Sequence, residues 1–516
     1  MHEATVKFAA FARSAFLASA ILGGLRAAFR RLAAVVARSF AWRFFARPEK
    51  FSDLFFKSGA GGLLVAAAAG YTRLLKRFGA FLDGAAPRSL SLWAAKWLGE
   101  RFYPLFFLFV AAHALIPYES YRNPYTLLAL LLLGASYSAR AAFDAECSFS
   151  ARRADPALII YFAAVAVSAV HSLFGAGAGE ASSTTAALYL AAIMFAFLVA
   201  NAFSEPRRLL ALIRAVALSA LLMSLYGLWQ FAQGVPIDST LTDRNMGGAS
   251  LAMGRVYATV GNPNVLAGWL VLVIPFSAAL VFVAKGFRGK LLWAAAAAPA
   301  VACLLLTQSR SGWIGLLVAA VVFVFLLDWR LLPLFLVAGA LALPFVPGFI
   351  YDRLLTLGRD TSSVSRFTIY AGAFRMALSN WASGVGIGME FFKRFINNYV
   401  YFPYETAPNH SHMLPLQIWL ESGIVAASAF LWFVLRVAKR CVSQISAHKR
   451  GTLRMYNRPG NPQYGARLIL TACASSMAGF MAMGCFEYVW FYPRCMNMFF
   501  IVAGICLCAV NQTQRR

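Results

Sequence analysis

Residues 264–284 read NVLAGWLVLVIPFSAALVFVA, an unbroken apolar run with no charged side chain. As a helix rising about 1.5 Å per residue it is about 31 Å long, which matches the roughly 30 Å hydrocarbon core of a bilayer. A polar turn, Gly261-Asn262-Pro263, precedes it, and a basic loop with Lys285, Arg288 and Lys290 follows. Outward from this segment the same pattern recurs. About twelve candidate spans lie near 103–117, 124–139, 157–174, 185–203, 215–231, 264–284, 291–307, 312–327, 331–346, 413–435, 468–484 and 496–511. The expected fold is therefore an all-α, polytopic integral membrane protein.

Composition agrees. The 516-residue chain is 60% hydrophobic and 13% charged, with a net charge of +27. A soluble domain carries about 25% charged residues, so the surplus apolar surface must face lipid. Nucleic acid would account for the positive charge but not for runs long enough to cross a membrane, and no nucleic-acid partner is expected. The same runs exclude a disordered basic protein.

Residues 1–101 hold 16 Lys or Arg against 5 acids, with apolar residues such as Phe8, Phe11, Leu17 and Ile21 set between them. They read as a basic amphipathic region on the cytoplasmic leaflet, with arginines reaching toward anionic headgroups. Residues 102–516 form the transmembrane domain. With the amino terminus inside, the inner loops carry Arg152 and Arg153, Arg207 and Arg208, Lys285 to Lys290, Arg330, and the stretch from Arg436 to Arg467. The chain ends inside, at Arg515 and Arg516. Sorting every charge by this topology puts 36 basic and 10 acidic residues inside and 11 basic and 10 acidic outside, as the positive-inside rule requires. Two outer segments are long, 232–263 and 347–412, the latter between spans 9 and 10.

Eight cysteines with no CxxC pair suggest neither a disulfide scaffold nor a zinc site. Cys147, Cys303, Cys441, Cys473, Cys506 and Cys508 read as small buried apolar residues. Cys485 and Cys495 flank one loop and are candidates for a disulfide if that loop is outside the cytoplasm.

Outer loops are where a membrane enzyme keeps its chemistry, and three clusters stand out. One runs from Gly254-Arg255 to Asn262-Pro263-Asn264. A second is Thr307-Gln308-Ser309-Arg310-Ser311-Gly312. The third extends from Ser365-Arg366 past Gly384-Val385-Gly386-Ile387-Gly388 to His410-Ser411-His412. Arg310, at the mouth of two apolar helices, is costly unless it snorkels or meets an anion. Several converging guanidinium forks would hold a pyrophosphate. His410 and His412 are able to take a proton near neutral pH. As an HxH pair they also suit a metal, but no other His or acidic cluster is near in sequence to complete the shell. Glu421, within the following apolar segment, needs a partner there. The GxGxG run lacks a preceding strand and a Walker lysine and reads as close-packing turns.

An outer Arg before an NPN turn, Q-S-R-S-G opening a span, S-R-x-x-x-Y, G-x-G and H-S-H followed by E-x-G occur here in that order. Over residues 185–440 the chain resembles the O-antigen ligase and polysaccharide polymerase superfamily. The final motif runs from His410 to Gly423, with Met413 where the family usually has Asn. The resemblance implies a glycosyltransferase needing no metal or other cofactor. It would move a glycan from undecaprenyl pyrophosphate to an acceptor hydroxyl, on a glycan or glycolipid, at the outer face of the bacterial cytoplasmic membrane. His412 would be the general base or position the acceptor. Arg255 and Arg310, with Arg366 as a third, would bind the pyrophosphate. His410, Glu421, Asn262, Asn264 and Gln308 would support them. A ligase, a repeat-unit polymerase and a protein-glycosylating enzyme share these motifs. A transporter also fits the span count, although the polar residues gather at one membrane face rather than at the midplane.

Overall fold

The computed structural model describes residues 48–85, 89–174, 180–236, 254–345, 348–355, 361–400, 408–450 and 462–514. About half of the basic amino-terminal region, residues 1–47 with Phe8 to Ile21 and residues 86–88, and Arg515 and Arg516 lie outside the described residues. Two compact units divide at Gly61 and Gly62. In the first, α1 covers Pro48–Lys57. α2, Gly59–Ala85, begins before the division and continues into the second unit. There Lys76 Nζ donates to Ala145 O at 2.8 Å and the Phe149 N–H donates to Thr72 Oγ1 at 3.0 Å, so residues 62–101 are packed into the larger unit.

The remaining helices of that unit are α3 (Leu90–Glu100), α4 (Phe102–Leu115), α5 (Pro124–Phe143), α6 (Pro156–Phe174), α7 (Glu180–Ala202), α8 (Pro206–Ala232), α9 (Pro263–Val283), α10 (Gly286–Leu306) and α11 (Arg310–Asp328). They continue as α12 (Leu332–Ala342), α13 (Gly348–Leu355), α14 (Thr361–Ser379), α15 (Met389–Ile396), α16 (Leu414–Arg450), α17 (Pro462–Gly484) and α18 (Pro493–Gln514). No strand occurs among the described residues. The chain is an all-α polytopic membrane protein.

Ten described stretches are long and apolar enough to cross a bilayer. Two expected spans account for the difference from twelve. The first, 103–117, is the 14-residue α4, which reaches from Tyr103, donating to Ala202 O at one end, to Ile116 at the other but is shorter than an ideal span of about 20 residues. The expected pair 312–327 and 331–346 falls within one stretch, Arg310–Ala342, where Asp328 caps a single 3-10 turn at Trp329–Leu331 between α11 and α12. Even so, the chain leaves one end of the bundle at Arg310 and is back at that end by Arg366, which donates to Phe486 O.

α9 and α18 form the centre, with 83% and 94% of their apolar windows buried. α10 and the Arg310–Ala342 stretch of α11 and α12 have 17% and 22% buried, so their outward leucines and phenylalanines present the apolar surface that lipid covers. The two ends of the bundle are tied separately. At one end Arg494 Nη1 donates to Thr259 O at 3.0 Å and Nη2 to Ile116 O, and its guanidinium stacks over the Tyr121 ring at 4.0 Å. At the other, buried Asp155 pairs with Arg436 at 2.9 Å and Arg440 at 3.5 Å, and Arg153 donates to Asn201 O at 3.0 Å.

One break in the helices is built by sequence. α16 is kinked at Gly423, where φ is 77°, and a Cβ there would stand 2.0 Å from Ala382 O. Gly384, at φ 72°, is equally close-packed: its Cβ would meet Leu420 O at 2.5 Å. Only glycine tolerates both the left-handed backbone and the approach. The groups freed by the kink are taken up by the incoming segment, with the Val385 N–H donating to Leu420 O at 2.7 Å and the Ile424 N–H to Trp381 O at 2.9 Å. The GxGxG run is thus a packing turn locked into the E-x-G break.

Candidate active site

The end tied by Arg494 gathers the starts of α9, α11, α16 and α18. Asn262 caps α9, its Oδ1 accepting from the N–H groups of Asn264 at 2.9 Å and Val265 at 3.3 Å. Ser309 caps α11, accepting from the Gly312 N–H, and Arg310 is the first residue of that helix. Helix N-termini carry partial positive charge and favour an anion.

The 254–257 segment lies along the α10–α11 turn. The Val256 N–H donates to Leu306 O at 3.1 Å, and Arg255 Nε donates to Thr307 O at 3.0 Å. Arg255 Nη2 also donates to Asn264 Oδ1 at 3.3 Å. Gln308 is buried in this turn at φ 53°. Arg255 and Arg310 therefore flank one turn, brought together from positions 55 apart in sequence.

The focus of the cluster is a residue that the sequence did not single out. Glu487, in the short loop between α17 and α18, is 5% exposed. Its Oε1 accepts from His412 Nδ1 at 3.0 Å and from the Tyr488 N–H at 3.2 Å. Its Oε2 accepts from Arg366 Nη2 at 2.8 Å and from Asn264 Nδ2 at 2.9 Å. Four donors fill the four acceptor positions of a carboxylate. Burial alone would raise this carboxyl, but the Arg366 guanidinium, then His412 and its hydrogen bond, outweigh burial and hold it well below the usual carboxylate range. The signal in sequence was a lone acid in an otherwise apolar and aromatic loop, FEYVWFYPR, counted among the outer charges and not pursued.

His412 has φ 54°, a conformation uncommon for a residue with a Cβ and costing on the order of 1 kcal/mol. It is held there from three sides. Its N–H donates to His410 Nδ1 at 3.2 Å, its carbonyl accepts from Tyr370 Oη at 3.5 Å, and its Nδ1–H is on Glu487. Both marked residues of S-R-x-x-x-Y thus serve this pair, Arg366 through Glu487 and Tyr370 through His412. With Nδ1 donating, the His412 Nε2 keeps a lone pair and is free to accept a proton.

His410 packs its ring against His412, Tyr488 and Phe491, with centroids 4.3, 5.2 and 5.4 Å away. Burial, then the neighbouring His412, pushes it well below its ordinary value, so it is neutral and supports rather than exchanges protons. Glu421 does not join the His412–Glu487 pair. It lies buried on α16, accepting from Tyr189 Oη at 2.6 Å and Gln417 Nε2 at 2.9 Å. Gln417 Oε1 in turn accepts from the Ser411 N–H at 2.8 Å, so Glu421 braces the H-S-H loop indirectly.

No acidic cluster is near HxH in sequence, yet the fold brings Glu487 to it: His410, His412 and Glu487 place ligand atoms within 4.8 Å of one another. A cation bound there would have to displace the Arg366 and Asn264 donors from a fully satisfied carboxylate and lie beside a guanidinium, which opposes it. Cys485 and Cys495 are both free thiols, Cys485 exposed and Cys495 buried against Gly268 of α9, so they form no disulfide.

No curated protein matches the chain. Residues 295–431 match the family model described as O-antigen ligase. The matched stretch contains Arg310, Arg366, His410, His412 and Glu421, whereas Arg255, Asn264 and Glu487 come to them only by folding. This match over about a quarter of the chain supports membership of the O-antigen ligase and polymerase superfamily, whose members are glycosyltransferase-like enzymes.

Proposed function

We propose that the protein is an inverting, metal-independent ligase that moves a glycan from undecaprenyl pyrophosphate to an acceptor hydroxyl at the outer face of the bacterial cytoplasmic membrane. The observation that carries this reading is the pairing of His412 with a buried, ionised Glu487 that Arg366 also pairs with and that Asn264 links to Arg255. A lipid pyrophosphate is already a good leaving group. The protein has to orient a hydroxyl, take its proton and neutralise the departing charge.

His412 Nε2 accepts the acceptor's hydroxyl proton as that oxygen attacks the anomeric carbon. The bond from that carbon to the pyrophosphate oxygen breaks with its electron pair on the leaving group. One displacement inverts the anomeric centre. Arg255, Arg310 and Arg366, with the N-termini of α9 and α11, receive the pyrophosphate charge. Glu487 holds the imidazole in the tautomer that leaves Nε2 basic and stabilises the imidazolium that follows, as carboxylates do in histidine-based hydrolases. Orientation is supported by charge: the end opposite this cluster holds Arg152, Arg153, Arg436 and Arg440.

The test is transfer by purified protein in lipid nanodiscs, given lipid-linked glycan and acceptor, with and without chelator. Transfer should persist in chelator and fall about 10²–10⁴-fold in His412→Ala. Full loss in chelator would overturn metal independence, and full activity in His412→Ala would overturn the base. In cells, reporters fused after Asn398 should report outside and after Gly289 inside, and the reverse pattern removes the outer-face assignment. A deletion strain should accumulate lipid-linked polymer; single repeat units would show a polymerase instead.

A further inference from the structure

Tyr488 and Phe491, against which the His410 ring packs, line a cavity of about 250 Å³ that the chemistry above leaves unused. It is below the roughly 300–1,000 Å³ of a drug-sized ligand and so suits one sugar ring more than an oligosaccharide. Its walls come from the loop after α4, from α7, from the start of α15, from α16 and from the 488–493 loop.

Three observations point to a ligand class. Tyr118, Phe491 and Tyr492 supply aromatic surface, which suits the C–H faces of a sugar ring. Glu390, Asn409 and Glu421 supply oxygen acceptors for hydroxyl or amine hydrogens. Among the described lining residues there is no Lys, Arg or His, and two carboxylates are present. A phosphate is therefore disfavoured in this cavity as strongly as the arginine cluster favours one.

From this we infer that the cavity is a saccharide subsite for an uncharged or amine-bearing sugar ring, separated by charge from the pyrophosphate site and joined to it through the 485–492 loop. That loop sends Glu487 into the arginine–histidine cluster and Tyr488, Phe491 and Tyr492 into the cavity wall. Within the transferase reading on which this assignment rests, the ring belongs to the acceptor. The His410 ring packs against both Tyr488 of the cavity wall and His412, with centroids 5.2 and 4.3 Å away.

The experiment is saturation-transfer NMR on the full chain in nanodiscs, titrated with the methyl glycosides of glucosamine and galactose and with glucose 6-phosphate. Both glycosides should bind and compete with each other, and the phosphate should bind at least tenfold more weakly. Glu390→Gln and Asn409→Ala, both at exposed positions, should each weaken glycoside binding about three- to tenfold. Glu390→Gln should affect the amine-bearing ring more. Equal or tighter binding of the sugar phosphate, absence of signal from both glycosides, or unchanged binding in both variants would each overturn the subsite. Binding needs neither donor nor turnover, so transfer without glycoside binding refutes the subsite alone, and glycoside binding without any transfer refutes the transferase reading alone.

Discussion

Glu487→Gln is the sharpest test of how the site works. The substitution keeps shape and volume but replaces four filled acceptor positions by an amide with one acceptor oxygen and one NH2 group. Turned toward His412, the NH2 group requires His412 Nδ1 to accept, which moves the imidazole proton to Nε2 and removes the base. Turned toward Arg366 and Asn264, it sets donors against donors at contacts of 2.8 and 2.9 Å. The equivalent loss of a carboxylate behind a catalytic histidine costs about 10⁴-fold in a Ser–His–Asp triad, and general-base catalysis is worth about 10²–10⁴-fold, so kcat should fall by about 10²–10⁴. Stability should fall as well. Breaking a buried ion pair costs about 3–5 kcal/mol, but Arg366 and His412 are 24% and 27% exposed against 5% for Glu487, so water relieves part of the loss and about 2–3 kcal/mol is expected. The assay is steady-state transfer in nanodiscs beside thermal unfolding followed by tryptophan fluorescence. His412→Gln and the double variant complete a cycle: if Glu487 acts through His412, adding Glu487→Gln to His412→Gln lowers kcat by less than about threefold. A Glu487→Gln enzyme retaining more than about a tenth of its kcat, or a double variant whose losses multiply, would refute the dyad.

Two further outcomes follow from the same geometry. Gly423→Ala places a Cβ 2.0 Å from Ala382 O at a left-handed backbone that alone costs about 1–2 kcal/mol, so it should destabilise the chain by more than about 3 kcal/mol; an unchanged unfolding temperature would contradict the locked break. His410, held well below its ordinary 6.5, binds fewer protons folded than unfolded. Its contribution to stability is therefore complete above about pH 6.5 and declines as pH falls below it, by up to about 1.4 kcal/mol per pH unit. His410→Asn keeps an acceptor for the His412 N–H and should flatten that slope between about pH 6.5 and 5, measured by unfolding across pH; an unchanged slope would show that another group titrates there.

The span pattern was legible because lipid imposes a length and an apolar requirement on each helix separately, so a one-dimensional count of residues 264–284 or 468–484 reads it directly. That count is least sharp where those requirements are weakest: in α4, with only 14 residues, and at Asp328, where one capped turn separates α11 from α12. Most of the polar residues that the structure gathers at the Arg494 end were legible too. Arg255, Arg310, Arg366, His410 and His412 are polar groups beside apolar runs, which is costly without a purpose. Asn262 was visible for a different reason, its position before proline, and the structure makes it a helix cap.

What sequence alone determined is the material: an apolar helical bundle, a strong charge asymmetry, and arginines and histidines placed at helix starts. Which of these meet was decided only by tertiary structure. Glu487 lies 75 positions from His412 and 121 from Arg366, and Asn264 lies 223 positions from Glu487. No local pattern or hydropathy period encodes such pairings, because they depend on which helix ends share one face of the bundle. The same holds for the separation of an arginine-lined site from a carboxylate-lined cavity. Both draw on one short aromatic loop, and only its fold, which buries Glu487 on one side and Tyr488 on the other, assigns each residue to its side.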